Sequence, residues 1–166
     1  MASGDVLAVF TPHSNLPPSS AFATFDTRAG FLVLDFDDTT DESAIFMGFL
    51  PNNYAGGGFT VKVLWMATSA TSGTISLDVA FMSVTDDADD LDTKAFAAAN
   101  NANPTTATAT GEVDYISVTF TDGADSDSVA ANEMFFIKVT RDADGTTSTD
   151  DLVGDMELLE VVVTET

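Results

Sequence analysis

The residues of this sequence that could do chemistry are mainly carboxylates. The chain has 166 residues, of which 27 are acidic and 5 are basic, with one histidine and no cysteine. The lack of cysteine excludes disulfides, thiolate nucleophiles and zinc–thiolate sites. A Ser-His-Asp triad would have to use His13, which lies in a proline-containing segment near the start of the chain. We expect a surface or anchoring role for His13.

The most suggestive acidic motif is DFDDT at residues 35–39, which follows an apolar strand. This motif resembles the first motif of haloacid-dehalogenase-type phosphatases. The resemblance implies that Asp35 is the nucleophile, that Asp37 is the general acid and base, and that Asp155 helps to hold a magnesium ion. Lys138, at the end of another apolar strand, strengthens the resemblance.

The context of this motif argues against a phosphatase. That family has a parallel sheet with helical crossovers, whereas the segments on both sides of Asp35 alternate as strands. We interpret the motif as a solvated turn or a weak calcium loop. The acidic runs at residues 86–90 and 142–145 lack the ligand spacing of an EF-hand loop and favour solvated loops. We predict no catalytic residues, no cofactor and no metal site, and therefore no enzyme.

Three aromatic residues, Tyr54, Trp65 and Tyr115, could form a platform on which sugar rings stack. Trp65 shares a face with Val61 and Val63, which favours packing in the core. Tyr54 lies beside three glycines and is the aromatic residue that we expect to be exposed.

The formal net charge of −22 limits the partners of this chain. Binding to nucleic acid needs clustered lysine and arginine, and an anionic membrane repels such a surface. Hydrophobic residues make up 45% of the chain, which indicates a folded domain rather than a disordered acidic tail. Salt screens the self-repulsion of this surface, so a saline habitat is one explanation of the charge.

The dominant period of the apolar residues is two, which predicts strands. Eight strands are predicted, at residues 21–27, 31–36, 43–50, 59–67, 73–81, 115–121, 135–140 and 157–164. Residues 43–50 are apolar on both faces. One short helix is predicted at residues 91–99, and an exposed loop at residues 100–110. The pattern predicts an all-β fold, a single antiparallel jelly-roll-type β-sandwich over residues 21–166, with an extended N-terminal arm over residues 1–20.

Several segments together resemble small structural proteins of tailed viruses and proviruses. They are TP and PP at residues 11–12 and 17–18, ATFDTR at 23–28, VLDFD at 33–37, SAIF at 43–46, YAGGG at 54–58, FFIKVTRD at 135–142 and GDMEL at 154–158. The resemblance implies a capsid decoration (cement) protein on the exterior of a virion. It also implies a homotrimer that binds the major capsid protein. The alternative is a carbohydrate-binding β-sandwich module of a fibre or head spike, which a buried Trp65 would weaken.

Overall fold

Short alternating segments separated by turn residues give this chain ten strands and two single-turn 3₁₀ helices within residues 2–166, which the computed structural model describes. The strands are β1 (Val6–Phe10), β2 (Thr24–Arg28), β3 (Phe31–Phe36), β4 (Glu42–Phe49), β5 (Phe59–Ala67), β6 (Leu77–Val84), β7 (Asn100–Ala102), β8 (Asp114–Phe120), β9 (Met134–Arg141) and β10 (Met156–Glu165). The 3₁₀ helices are Pro12–Ser14 and Ala124–Ser126. None of the helices in this described part is long and apolar enough to span a membrane.

The strands form two antiparallel sheets. The larger sheet has the order β2-β3-β10-β5-β8, with β1 also paired to β10. The smaller sheet has the order β4-β9-β6-β7. The last strand organises the larger sheet, because β10 pairs with β5 along its whole length while its two ends pair with β3 and β1. This arrangement confirms the predicted all-β sandwich.

The core lies between the two sheets and is rich in aromatic side chains. Phe59 stacks on Tyr54 and on Phe81, with ring centroids 4.9 and 5.0 Å apart. Phe81 also meets the edge of the Phe120 ring, at 4.8 Å between centroids. Such pairs add to the free energy gained by burying the rings. The aromatic cluster therefore joins strands of both sheets.

The eight predicted strands are confirmed, but the predicted helix at residues 91–99 is wrong. Only one turn forms there, in which the amides of Thr93 and Lys94 donate to the carbonyl oxygen of Asp90. The amide of Ala97 then donates to the carbonyl of Phe81, which draws the chain along the edge of β6. A short isolated helix is marginal, and pairing with a sheet edge satisfies the same backbone groups.

Two further strands lie where the sequence predicted an arm and a loop. Residues 6–10 of the predicted arm form β1, whose apolar partner is β10 of this same chain. Residues 100–102 of the predicted loop form the short edge strand β7 on β6. The boundary between an arm and a domain at residue 20 stays a prediction.

Candidate functional site

The outer face of the smaller sheet carries an apolar strip. On β4, Ala44 and Phe46 point into the core, so Ile45, Met47 and Phe49 point outward. Met47 is 50% exposed and Phe49 is 61% exposed. Sheets in water usually present polar side chains on the face that does not pack on the core. An exposed apolar outer face is therefore a candidate interaction site.

The strand register sets the composition of this strip. Met47 of β4 lies opposite Phe136 of β9, which lies opposite Met82 of β6. In the next row the partners are Phe49, Met134 and Val84. Directly opposed side chains on neighbouring strands lie about 4.5–5.5 Å apart, so each row is a continuous apolar surface. We call the outward residues of β4 and β9 from Ile45 to Phe49 and from Met134 to Lys138 the outer strip.

A groove of about 540 Å³ opens at the end of the outer strip. It is lined by Phe49, Val84, Thr85, Asp86, Asn132, Glu133 and Met134. The groove thus combines apolar side chains from the strip with two carboxylates and an amide from the adjoining turns. Three apolar and four polar side chains line the groove, so it could contact both the apolar and the polar parts of a small molecule.

The polar side of this groove is held in place by hydrogen bonds. One oxygen of Glu133 accepts from the hydroxyl of Thr85 at 3.0 Å, and the other accepts from the amide of Ala130 at 2.8 Å. The amide of Asn132 donates to the carbonyl of Leu50, next to the end of β4. A ligand would therefore meet acceptors that need little rearrangement.

The segment of residues 86–99 borders the other side of the outer strip. Lys94 ties this segment to the body of the protein through a salt bridge of 3.2 Å to Asp127, and it forms a second one of 3.2 Å to Asp89 within the segment. The ring of Phe96 reaches the strip, with its centroid 5.1 Å from the ammonium of Lys138 on β9. Ala80 lies opposite Lys138 on this outer face and is nevertheless buried, and the amide of the next segment residue, Ala97, donates to the carbonyl of Phe81 beside it. The segment therefore covers the β6 side of the face and leaves the β4 side open.

The predicted aromatic platform is only partly accessible. Trp65 is 0% exposed, which confirms its place in the core, whereas the predicted exposure of Tyr54 is wrong, because Tyr54 is 8% exposed. The Tyr54 hydroxyl accepts from the amide of Gly58 at 3.0 Å and donates to Asp122 at 3.3 Å, and burial raises the pKa of Tyr54 to about 12. Tyr115 is 63% exposed on the larger sheet, beside Lys62. Three separated residues do not form one platform, which weakens that version of a carbohydrate site.

The structure brings together part of the phosphatase-like set. Asp37 and Asp38 follow β3 and Asp155 precedes β10, and one carboxylate oxygen of each lies within 4.8 Å of the others. Asp38 also accepts from the amide of Gly154 at 2.7 Å. Lys138 does not join them, because it lies on the outer face of the other sheet. The strands here are antiparallel, so the phosphatase fold is absent from the described chain, as the sequence context indicated.

The acids of this region have shifted pKa values. Burial raises the pKa of Asp35 to about 6, and the charges of Asp155 and Glu157 act in the same direction. Hydrogen bonds from Thr39 lower the pKa of Asp37. The carboxylates of Asp37, Asp38 and Asp155 could hold a cation, since hard cations prefer oxygen ligands.

A second acidic group joins Asp41 to the 142–145 run. Carboxylate oxygens of Asp41, Asp142 and Asp144 lie within 4.8 Å of one another. Burial alone would raise the pKa of Asp142, but hydrogen bonds from the amide of Thr147 and from Ser76 and Thr146 lower it. Asp142 thereby holds its loop together through the hydrogen bonds that it accepts.

His13 is exposed in the first 3₁₀ helix.

The fold and the outer strip together define a β-sandwich with an exposed apolar face. No protein-family model matches this sequence, and no curated protein sequence is significantly similar to it. Solved structures do share the fold. The CBM22-1–GH10 modules of endo-1,4-beta-D-xylanase 10B from Clostridium thermocellum, complexed with xylohexaose, align with 98% of this chain at a TM-score of 0.54 and 14% identity. This chain spans 29% of that xylanase chain.

A second similar structure is a domain of comparable length. The CBM22-1 xylan-binding domain of Xyn10C from Paenibacillus barcinonensis aligns over 99% of this chain and 96% of that chain, at a TM-score of 0.50 and 9% identity. At such identities the likeness establishes the fold, which is a β-sandwich.

These neighbours overturn the interpretation of the chain as a capsid decoration protein. That interpretation depended on the order of strand-forming segments and turn residues over residues 11–58 and 135–158. Any antiparallel sandwich with strands of these lengths requires such an order, so the pattern does not distinguish a capsid protein from a binding module. The viral resemblance, the homotrimer, the absence of nucleic-acid and membrane partners and the location on a virion stay predictions of the sequence.

Proposed function

We propose that this chain is a carbohydrate-binding β-sandwich that holds a glycan on the outer strip of its smaller sheet, and that it acts by binding rather than by catalysis. The observation that carries the proposal is the exposed pair Met47 and Phe49, which leads directly into a groove containing Asp86 and Glu133. One surface thus offers an apolar floor and hydrogen-bond acceptors side by side.

The chemistry of a sugar ring fits this combination. A pyranose has apolar C–H faces, which pack on aromatic rings, and hydroxyl groups around its edge, which donate to carboxylates. Phe49 supplies a ring at the mouth of the groove, and Asp86 and Glu133 supply acceptors without hydrogens of their own. Hydrogen bonds to charged acceptors are stronger than neutral ones, which compensates for the weak stacking of a single phenyl ring.

The neighbouring structures support the proposal at the level of the fold. One of them is described as a xylan-binding domain and another as a complex with xylohexaose. A β-sandwich of this kind is therefore able to carry a glycan site. The position of the site in this chain is inferred from its own outer strip.

Isothermal titration calorimetry tests the proposal on the whole chain. Xylohexaose and oligosaccharides of mannan and mixed-linked glucan are titrated in dilute buffer and in molar salt, because salt screens the surface charge. We expect one of them to bind and Phe49→Ala to weaken that binding about tenfold, which corresponds to about 1.4 kcal/mol. Phe31→Ala is the matched control, since Phe31 is 69% exposed on the larger sheet.

Two outcomes would contradict the proposal. Heat of binding for no glycan in either salt condition, with acidic oligosaccharides added to the panel, would remove the function. Binding that Phe31→Ala or Tyr115→Ala weakens and Phe49→Ala leaves intact would remove the site from the smaller sheet.

A further inference from the structure

The outer strip contains one charged side chain, Lys138. It stands between Phe136 and Thr140 on β9, opposite Ile45 on one side and Ala80 on the other. Its immediate neighbours on the face are therefore mostly apolar. The ammonium lies 5.1 Å from the centroid of the Phe96 ring, which attracts the charge but leaves its N–H donors unused.

Lys138 differs from most basic residues of this protein in having no acidic partner. Arg28, Lys94 and Arg141 each form a salt bridge with an aspartate or a glutamate. Within residues 2–166, Lys138 and Lys62 form none, although the chain has 27 acids and 5 bases. The ammonium of Lys138 can therefore donate hydrogen bonds to a ligand that lies on the outer strip.

The two ends of the outer strip therefore differ in hydrogen bonding, with acceptors at one end and a charged donor at the other. Lys138 and Met134 are four residues apart on one strand, which is about 13 Å. The Met134 end opens into the groove with Asp86 and Glu133, which accept hydrogen bonds. The Lys138 end donates them and carries the positive charge. A ligand that matches both ends has hydroxyl groups at the groove and an anionic group at Lys138.

We propose that Lys138 binds a carboxylate of the glycan, so that the outer strip prefers uronic-acid-containing glycans to neutral ones. This inference rests on the proposed function and adds the class of sugar. The remaining charge of the protein opposes any anionic ligand at a distance, since the net charge is −22. Salt screens this long-range repulsion more than it screens a half-buried contact between Lys138 and a carboxylate. The preference should therefore be clearest in molar salt.

Binding of matched pairs of glycans tests the inference. The probes are glucuronoxylan oligosaccharides and oligogalacturonate, each beside its carboxyl-reduced neutral form, titrated in molar salt. We expect the acidic form to bind about fivefold more tightly than the reduced form, in line with a partly exposed ion pair. Lys138→Gln should remove the difference and Lys138→Arg should keep it. Lys62→Gln is the matched control, because it makes the same charge change on the outer face of the larger sheet.

The outcomes separate this inference from the proposed function. Equal affinity for acidic and reduced forms, with binding still weakened by Phe49→Ala, overturns the role of Lys138 and keeps the carbohydrate site. A preference for the acidic form that survives Lys138→Gln also overturns it. Failure of every neutral and acidic glycan to bind removes both proposals. Self-association in sedimentation that Lys138→Gln abolishes would assign the strip to an acidic surface of a second copy, and would also overturn the inference.

Discussion

Arg141 and Asp150 form a salt bridge that lies wholly inside the protein. The guanidinium Nη2 is 2.9 Å from one oxygen of Asp150, and Nε donates to the other at 3.0 Å. The same guanidinium donates to the carbonyl oxygens of Leu152, Gly154 and Phe36. Because Phe36 belongs to the larger sheet and Arg141 to the smaller one, a single side chain joins the two sheets at this end of the sandwich.

Arg141→Lys should therefore cost much of the stability. A lysine ammonium has three donors and no planar fork, so Asp150 and some of the carbonyl groups would remain buried without partners. We expect a loss of about 3 kcal/mol in the free energy of unfolding, measured by urea denaturation at pH 7. Arg28→Lys is the control, since the Arg28–Glu157 pair is partly exposed and should cost about 1 kcal/mol or less. Equal losses in the two variants would contradict the special role of Arg141.

The pKa of Asp35 predicts how stability depends on pH. Burial raises this pKa from 3.8 to about 6, so between these two pH values the folded protein holds a proton there that the unfolded chain has lost. Stability contributed by this group is complete below about pH 4 and declines as the pH rises through 6. Asp35→Asn should remove this decline and stabilise the protein at pH 7.5, by about 1–2 kcal/mol because the carboxyl is only partly buried.

Urea denaturation from pH 4 to 7.5 measures this effect for Asp35. Asp37→Asn is the opposite control, because the pKa of Asp37 is lowered by hydrogen bonds from Thr39. Its loss should destabilise the protein near neutral pH and leave the decline due to Asp35 in place. An Asp35→Asn variant with the same pH profile as the wild type would show that the carboxyl is hydrated in solution.

Two glycines with the same backbone conformation separate strain from steric conflict. Gly30 and Gly58 both have φ of +86°. A Cβ at Gly30 meets nothing within 4 Å, whereas a Cβ at Gly58 collides with the carbonyl oxygen of Phe120. Gly30→Ala should cost about 1 kcal/mol from backbone strain alone. Gly58→Ala should cost at least twice as much in urea denaturation, and similar losses would show that the turn at Gly58 can move.

The predicted strands could be recognised because each is a short run of apolar and β-branched residues, often alternating with polar ones, between turn residues. The strand β10, for example, needs no knowledge of its partners to be recognised. By contrast, β7 has three polar or small residues and no pattern. The apolar residues of β1 were visible in the sequence, but their partner β10 lies at the other end of the chain, so an arm was an equally good interpretation.

Only the apolar part of the candidate site could be recognised in the sequence. Residues 43–50 are apolar on both faces, which indicated that both faces of this strand are covered but did not show which side chains point outward. The rest of the site depends on pairing between distant segments. Nothing in the sequence groups Lys138 with Asp86 and Glu133, because the two acids meet only where Val84 of β6 pairs with Met134 of β9. Tyr54 was misjudged because its three glycines suggested an open loop, whereas its ring fills the aromatic core.

The position of β10 also determines when the protein can fold. This strand occupies residues 156–165 and lies between β5 on one side and β1 and β3 on the other. During synthesis, the β2–β3 pair and the β5–β8 pair can therefore join into one sheet only after residues 156–165 have left the ribosome. Closure of this sheet thus depends on contacts between remote segments, which form slowly and leave strand edges exposed in the nascent chain.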